Sequence, residues 1–201
     1  MVKADCGGCN GCSRCCHGMG NSIILDPYDV YRMTTGMGKS MQELLAASVE
    51  LNVVDGVILP NLKMQGTEEA CAYLDEEGRC SIHPYRPGIC RLFPLGRYYE
   101  NGGFSYFLQT GECAKENRSK IKVSKWIDTP DLTRNQQFTL QWHDLLHAME
   151  ERLTGEDEGK QREENLLLLR LFYLLPYEGT IDFYTQFIER MEHWNGQNGQ
   201  I

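Results

Sequence analysis

Five cysteines, Cys6, Cys9, Cys12, Cys15 and Cys16, fall within the eleven residues "CGGCNGCSRCC". Thiolates at this density do one of four things: form disulfide staples, act as a redox pair, bind zinc, or cradle an iron-sulfur cluster. A Cys-x2-Cys turn brings two sulfurs to one metal, and its backbone amides can donate hydrogen bonds to the thiolates. Two further ligands must then come from elsewhere, and Cys71, Cys80, Cys90 and Cys113 are available. Adjacent Cys15 and Cys16 leave the backbone in different directions and would close a strained small ring on one ion. They are read as serving two neighbouring centres, or one of them as a redox or resolving thiol.

Compartment decides among the four uses. The opening "MVKADCGG" has neither the basic nor the apolar region of an export signal. The longest apolar run, "LLLLRLFYLLP" at 166–176, carries Arg170 and falls short of the ~18 apolar residues a membrane span requires. A cytoplasmic location is therefore expected, with no membrane association. There thiols stay reduced and clustered cysteines hold metal more often than disulfides. A lone redox pair would leave the later thiols unused. The net charge is −8, and ionising eight thiols while adding two dications or two 2+ clusters takes it to −12. Such a balance argues against nucleic acid as a partner, because phosphate binding depends on a basic face.

The elements that must position these residues divide at Cys113, after which there is no cysteine. In "SIILDPYDVYRM" a short β-like run leads to a helix with Asp26 as N-cap and Pro27 at its first position. The stretch 39–54 has helical spacing at Leu44, Leu45, Val49 and Val53 and ends at an Asp55-Gly56 turn. "VILPNLKM" and "CAYL" read as strands. The aromatic runs of 95–110 flank Asn101-Gly102, a primed-turn hairpin signal. Downstream, 130–153 predicts a helix with Leu140, Leu145, Met149 and Leu153 on similar faces, stopped at Gly155. An acidic linker opens the next helix, "PYEG" breaks it, and a last helix carries Ile181, Tyr184, Phe187, Ile188 and Met191, with a frayed tail. The expected architecture is α+β: a cysteine-rich metal-binding domain over 1–118 with a small antiparallel hairpin sheet, and a C-terminal helical segment over 119–201 packed on it.

The order Cys-x2-Cys-x2-Cys-Cys, then Cys-x-Tyr-Leu, then Cys-Ser-Ile-His-x2-Arg-Pro-x2-Cys-Arg-x-Phe-Pro resembles the YkgJ-type cysteine-cluster family, described by zinc or iron chelation. The resemblance covers about 9–113. It implies eight metal-binding cysteines, which fall here on Cys9, Cys12, Cys15, Cys16, Cys71, Cys80, Cys90 and Cys113. Cys6 is left as the spare. The family includes flagellin lysine N-methylase-like members, so a protein-modifying enzyme is a further alternative, although no methyl-donor site, catalytic triad or nucleotide loop stands out.

Cysteines at successive three-residue steps resemble the cluster-binding run of bacterial ferredoxins, without the Cys-Pro that completes that signature. Four-cysteine zinc sites come as two close pairs, whereas the late cysteines are 9, 10 and 23 residues apart. An iron-sulfur cluster, of the 4Fe-4S type, is the expected cofactor, with zinc as the alternative. Electron transfer, or redox support of a protein partner's modification reaction, is the expected role; a zinc-binding structural or metal-handling module is the other reading. Arg86 and Arg91, inside the matching motif, are assigned to the cofactor, offsetting thiolate charge. Arg79 and Arg97 read as surface residues. His17 and His83 read as neighbours of the site more readily than as ligands. His143 and His147 form an i, i+4 pair without a third ligand, and Asp144 stands where a zincin needs glutamate.

Overall fold

A computed structural model describes residues 1–5, 12–115 and 117–198; Cys6 and Cys9 lie outside the described residues. The fold is α+β, with small two-stranded antiparallel sheets and long C-terminal helices. At the start, β1 (Val2–Asp5) pairs with a distant strand, β8 (Ser119–Ile121).

Helix α1 (Pro27–Met37) begins as its sequence dictates. The Asp26 carboxylate accepts from the Asp29 N–H at 2.8 Å, and the Asp29 carboxylate accepts from the Asp26 N–H at 3.3 Å. This reciprocal cap satisfies two orphan amides. Gly38, at φ 64°, ends the helix in the left-handed region. The preceding apolar run makes a single antiparallel bridge, Ile24 to Asn61, with Leu62 N–H donating to Ile23 O and Leu25 N–H to Pro60 O.

The helical expectation over 39–54 fails halfway. Helix α2 (Met41–Ala47) stops, and β2 (Val49–Val54) forms a hairpin with β3 (Val57–Leu62). Valine-rich residues favour the strand, and Asp55 and Gly56, at φ 51° and 82°, supply the tight turn that closes it. Strand β4 (Met64–Gln65) pairs with β5 (Ala70–Cys71), so only the first residue of "CAYL" is strand. The aromatic hairpin is as expected: β6 (Leu95–Glu100) and β7 (Gly103–Leu108) meet across Asn101 and Gly102 at φ 51° and 70°.

Just before β6 lies α3 (Gly88–Leu92), and after β8 comes α4 (Val123–Ile127). Helix α5 (Leu132–Leu153) turns Phe138, Trp142, Leu145, Met149 and Leu153 inward, with Leu140 only half-buried. Helix α6 (Glu158–Leu169), capped by Asp157, runs into a π-turn at Arg170–Leu174 and breaks before Pro176. Helix α7 (Phe183–Asn198) corrects the expected stripe: Phe183, Tyr184, Phe187 and Trp194 are buried, while Ile181 and Ile188 are exposed. Ile181 precedes the helix, and on the helix itself Arg190 takes a core position by donating to the carbonyls of Leu171, Leu175 and Pro176 at 2.7–3.0 Å. An inward arginine is invisible to a count of apolar residues.

One large core runs from Ile23 to Trp194, centred on an aromatic group in which Tyr28 of α1 meets Phe183 at 4.9 Å and Phe138 meets Phe187 at 4.8 Å. A smaller cluster of Leu92, Leu95 and Ile127 joins α3, β6 and α4. Among the described residues no helix is long and apolar enough to cross a membrane.

Candidate metal centre

The cysteines arrive from four places. Cys15 and Cys16 sit in a 3-10 turn, Arg14–Cys16, fastened by the bond from Cys16 N–H to Ser13 O at 2.7 Å. That turn is laid against β5 by the bridge between His17 and Ala70 and by Gly18 N–H donating to Glu69 O at 3.0 Å. Cys71 ends β5. Cys80 returns beside it because residues 75–79 fold back: Asp75 Oδ1 accepts from the amides of Glu77 and Arg79 at 3.0 and 2.7 Å, and Leu74 bridges Cys80. Cys90 lies on α3, whose first amide, Gly88 N–H, donates to buried Asp29 Oδ1 at 2.6 Å.

These five thiols feel one another. Cys16 is raised first by its hydrogen bond with Cys15 and then by burial and neighbouring cysteines, Cys90 by burial, by Asp29 and by neighbouring cysteines, and Cys71 and Cys80 by burial first. Cys15 moves the other way, down to about 6, because the Cys16 thiol donates to it, with Arg86 contributing. One proton thus serves the adjacent pair. Backbone amides also point at sulfur: Tyr73 N–H at Cys71 and Ile82 N–H at Cys80, each two residues ahead. Amides in that register stabilise thiolate and are the donors that metal-bound cysteine uses.

Cys12 and Cys113 share a second setting with Cys15. With Cys15, Phe93, Pro94 and Trp126 they line a small cavity of about 30 Å³. Cys15 therefore borders both sets. All seven described cysteines are free thiols of intermediate exposure. Among the described residues, no three His, Cys, Asp or Glu side chains stand in a geometry that would hold a single ion.

The arginines differ in placement. Arg86 reaches His83 Nε2 with its Nη1 and lowers Cys15 and Cys80. His83 is pushed below the usual imidazole range by burial and then by Arg86 and Arg79, so it accepts from Arg86 as a neutral ring. Arg91 is buried against Asp29 at 3.8 Å and 5.7 Å from the Tyr28 ring, with Nε and Nη1 lacking hydrogen-bond partners among the described residues. Arg97 is not a plain surface group, since its guanidinium lies 5.5 Å from the Phe104 ring and its Nε is buried. His143 stacks on Tyr99 at 3.7 Å and contacts Asp144 at 3.3 Å, joining the hairpin to α5 rather than forming a metal pair.

Sequence reasoning overlooked Asp29. It is 2% exposed and accepts from the amides of Asp26 and Gly88 as well as facing Arg91. Its place as the third residue after an Asp N-cap was a visible signal of the helix start. Its link to α3, 59 residues away, was not.

A family model matches residues 8–139, spanning the early cysteine turn, Cys71, Cys80, Cys90, Cys113 and the start of α5. The family is described as "Putative zinc- or iron-chelating domain" and carries the name CxxCxxCC. The chain belongs to the CxxCxxCC family. Searches of curated proteins and of solved structures find no match. For a CxxCxxCC protein the sulfur-only donor set fits either family metal. Soft thiolates take zinc or iron-sulfur in preference to harder cations.

Proposed function

We propose that this CxxCxxCC protein holds iron-sulfur through Cys9, Cys12, Cys15, Cys16, Cys71, Cys80, Cys90 and Cys113, and serves electron transfer or redox support of a protein partner's modification reaction. The observation that carries the reading is the convergence of Cys15, Cys16, Cys71, Cys80 and Cys90, with amide donors aimed at two of the sulfurs. A cluster spreads its thiolates over several irons, and a ligand set drawn from scattered segments suits that better than two close zinc pairs.

When bound, an iron-sulfur cluster supplies one-electron chemistry at a potential set by its surroundings. This chain's residues do the rest. The amides of Tyr73 and Ile82 hold charge on Cys71 and Cys80, and Arg86 offsets Cys15 and Cys80, while Arg91, the other arginine assigned to the cofactor, faces the Asp29 carboxylate. The two groups of thiols, meeting at Cys15, suit two neighbouring centres.

Zinc is the second reading, favoured by the same amide-to-sulfur geometry. A methylase-type enzyme would want a pocket between the cysteine domain and the helical segment. The larger cavities instead lie between α5 and α7 around Tyr184, at about 490 Å³, and beside Tyr73 and Tyr85, at about 460 Å³. Visible absorption with iron, zinc and acid-labile sulfide content, after oxygen-free purification, tests the proposal. Broad visible absorption with iron and sulfide is expected; stoichiometric zinc without sulfide would refute it. Cys71→Ser and Cys113→Ser variants should each lose about half the metal if there are two centres.

A further inference from the structure

The antiparallel register of β1 and β8 sets Lys3 directly opposite Lys120. Both are exposed, while Val2, next to Lys3, packs on the Leu92, Leu95 and Ile127 cluster. Like charges directly opposite in a ladder destabilise it. Neither lysine joins an ion pair among the described residues. The charge continues along the chain: Lys122 caps α4 and Lys125 lies in its last turn, both exposed and also outside those ion pairs. Half-buried Lys115 and Arg118 lead in, and Arg118 Nη1 is buried without a hydrogen-bond partner among the described residues. In a chain of net charge −8, removing these six cations would leave −14.

The strip borders the thiols. Trp126 of α4 donates to the carbonyl of Leu92 on α3, the helix of Cys90, at 3.2 Å, and lines the cavity shared by Cys12 and Cys113. We propose that this basic strip of β1, β8 and α4 is the docking surface for a protein partner that presents a compact acidic face. The inference rests on the partner-directed role proposed above and gives that partner its charge. A compact acidic patch meets the strip alone, whereas a duplex or an anionic membrane plane would also face the acidic remainder of the molecule. The competing account is that lysines blunt the edges of a two-stranded sheet, for which binding is irrelevant.

Full-length, metal-loaded protein is titrated with labelled polyglutamate at low and at physiological ionic strength, beside a single-stranded DNA oligonucleotide and phosphatidylserine vesicles. Polyglutamate is expected to bind most tightly and to weaken with salt. Lys122→Glu with Lys125→Glu should weaken it at least about tenfold at unchanged metal content. Lys120→Glu should weaken it too while raising the melting temperature, since a carboxylate would then face Lys3. Lys39→Glu, remote on the connection between α1 and α2, should change binding little. Wild-type protein that ignores polyglutamate at low salt, tighter binding of DNA or vesicles, or equal losses from Lys39→Glu would each overturn the proposal. Strip-dependent binding by protein that proves to contain no metal would leave the docking surface standing and defeat the proposed function instead.

Discussion

Replacing Asp29 by asparagine tests how the buried carboxylate under α3 is charged. Asparagine keeps an acceptor for the amides of Asp26 and Gly88 but cannot ionise. Burial first, and the Asp26 carboxylate second, push Asp29 up to about 8, against Arg91 and the Gly88 amide. Arg91 offsets this only in part: its nearest nitrogen is 3.8 Å away, beyond charge-assisted hydrogen-bond range, and two other donors on it have no hydrogen-bond partner among the described residues. An unfolded aspartate titrates at about 3.9. The folded value is the higher one, so this group's contribution to stability is fully present below the unfolded pKa. It is lost as pH rises through the folded one. The stability gap between wild type and Asp29→Asn should therefore fall with pH, by up to about 1.4 kcal/mol per unit, or about 3 kcal/mol between pH 5 and 7. Urea unfolding of both proteins at matched ionic strength measures the gap, and taking the difference cancels the titrations of groups that do not sense Asp29, leaving Asp29 with its neighbours Asp26 and Cys90. A gap that widens with pH would refute the reasoning and place an ionised Asp29 in a dominant ion pair with Arg91.

Arg190→Met strips three main-chain carbonyls of their donor and the Tyr177 ring of a guanidinium at 3.6 Å, so a loss of about 3 kcal/mol is expected in denaturant unfolding. Lysine should rescue only part of it, because one ammonium lacks the fork that reaches all three. Asn165→Leu should cost about 2 kcal/mol, since Asn165 accepts from Ile58 N–H and donates to the carbonyls of Gly56 and Gln161. Stripping metal with a chelator should raise amide exchange across 71–92 while leaving the far-ultraviolet helical signal of α5 and α7 nearly unchanged. The reason is that those helices are held by the aromatic core and not by thiols.

Local signals carried far where the physics is local. The Asp26 cap, the Asn101-Gly102 hairpin and the helix over 132–153 follow from capping geometry, positive φ and apolar period, each decided within a few residues. Where distant partners intervened, local spacing misled. Val49 and Val53 kept a helical spacing, yet the chain turned into a strand because Val57–Leu62 was available to pair. Ile188 looked like core, but an inward position on the same helix went to Arg190, whose partners are carbonyls 14 to 19 residues earlier.

The metal-binding class belongs to the sequence by itself, because thiol chemistry and the order of Cys-x2-Cys-x2-Cys-Cys with its later motifs do not depend on folding. Cys9, one of the eight ligands expected, and the spare Cys6 lie outside the described residues. Only the tertiary structure decided which thiols meet. The bridge of His17 to Ala70, the fold-back at Asp75 and the tether from Asp29 to Gly88 bring segments tens of residues apart to one place. Spacing along the chain fixes what a residue can bind, while the closing of long loops by burial and hydrogen bonding fixes what stands beside it.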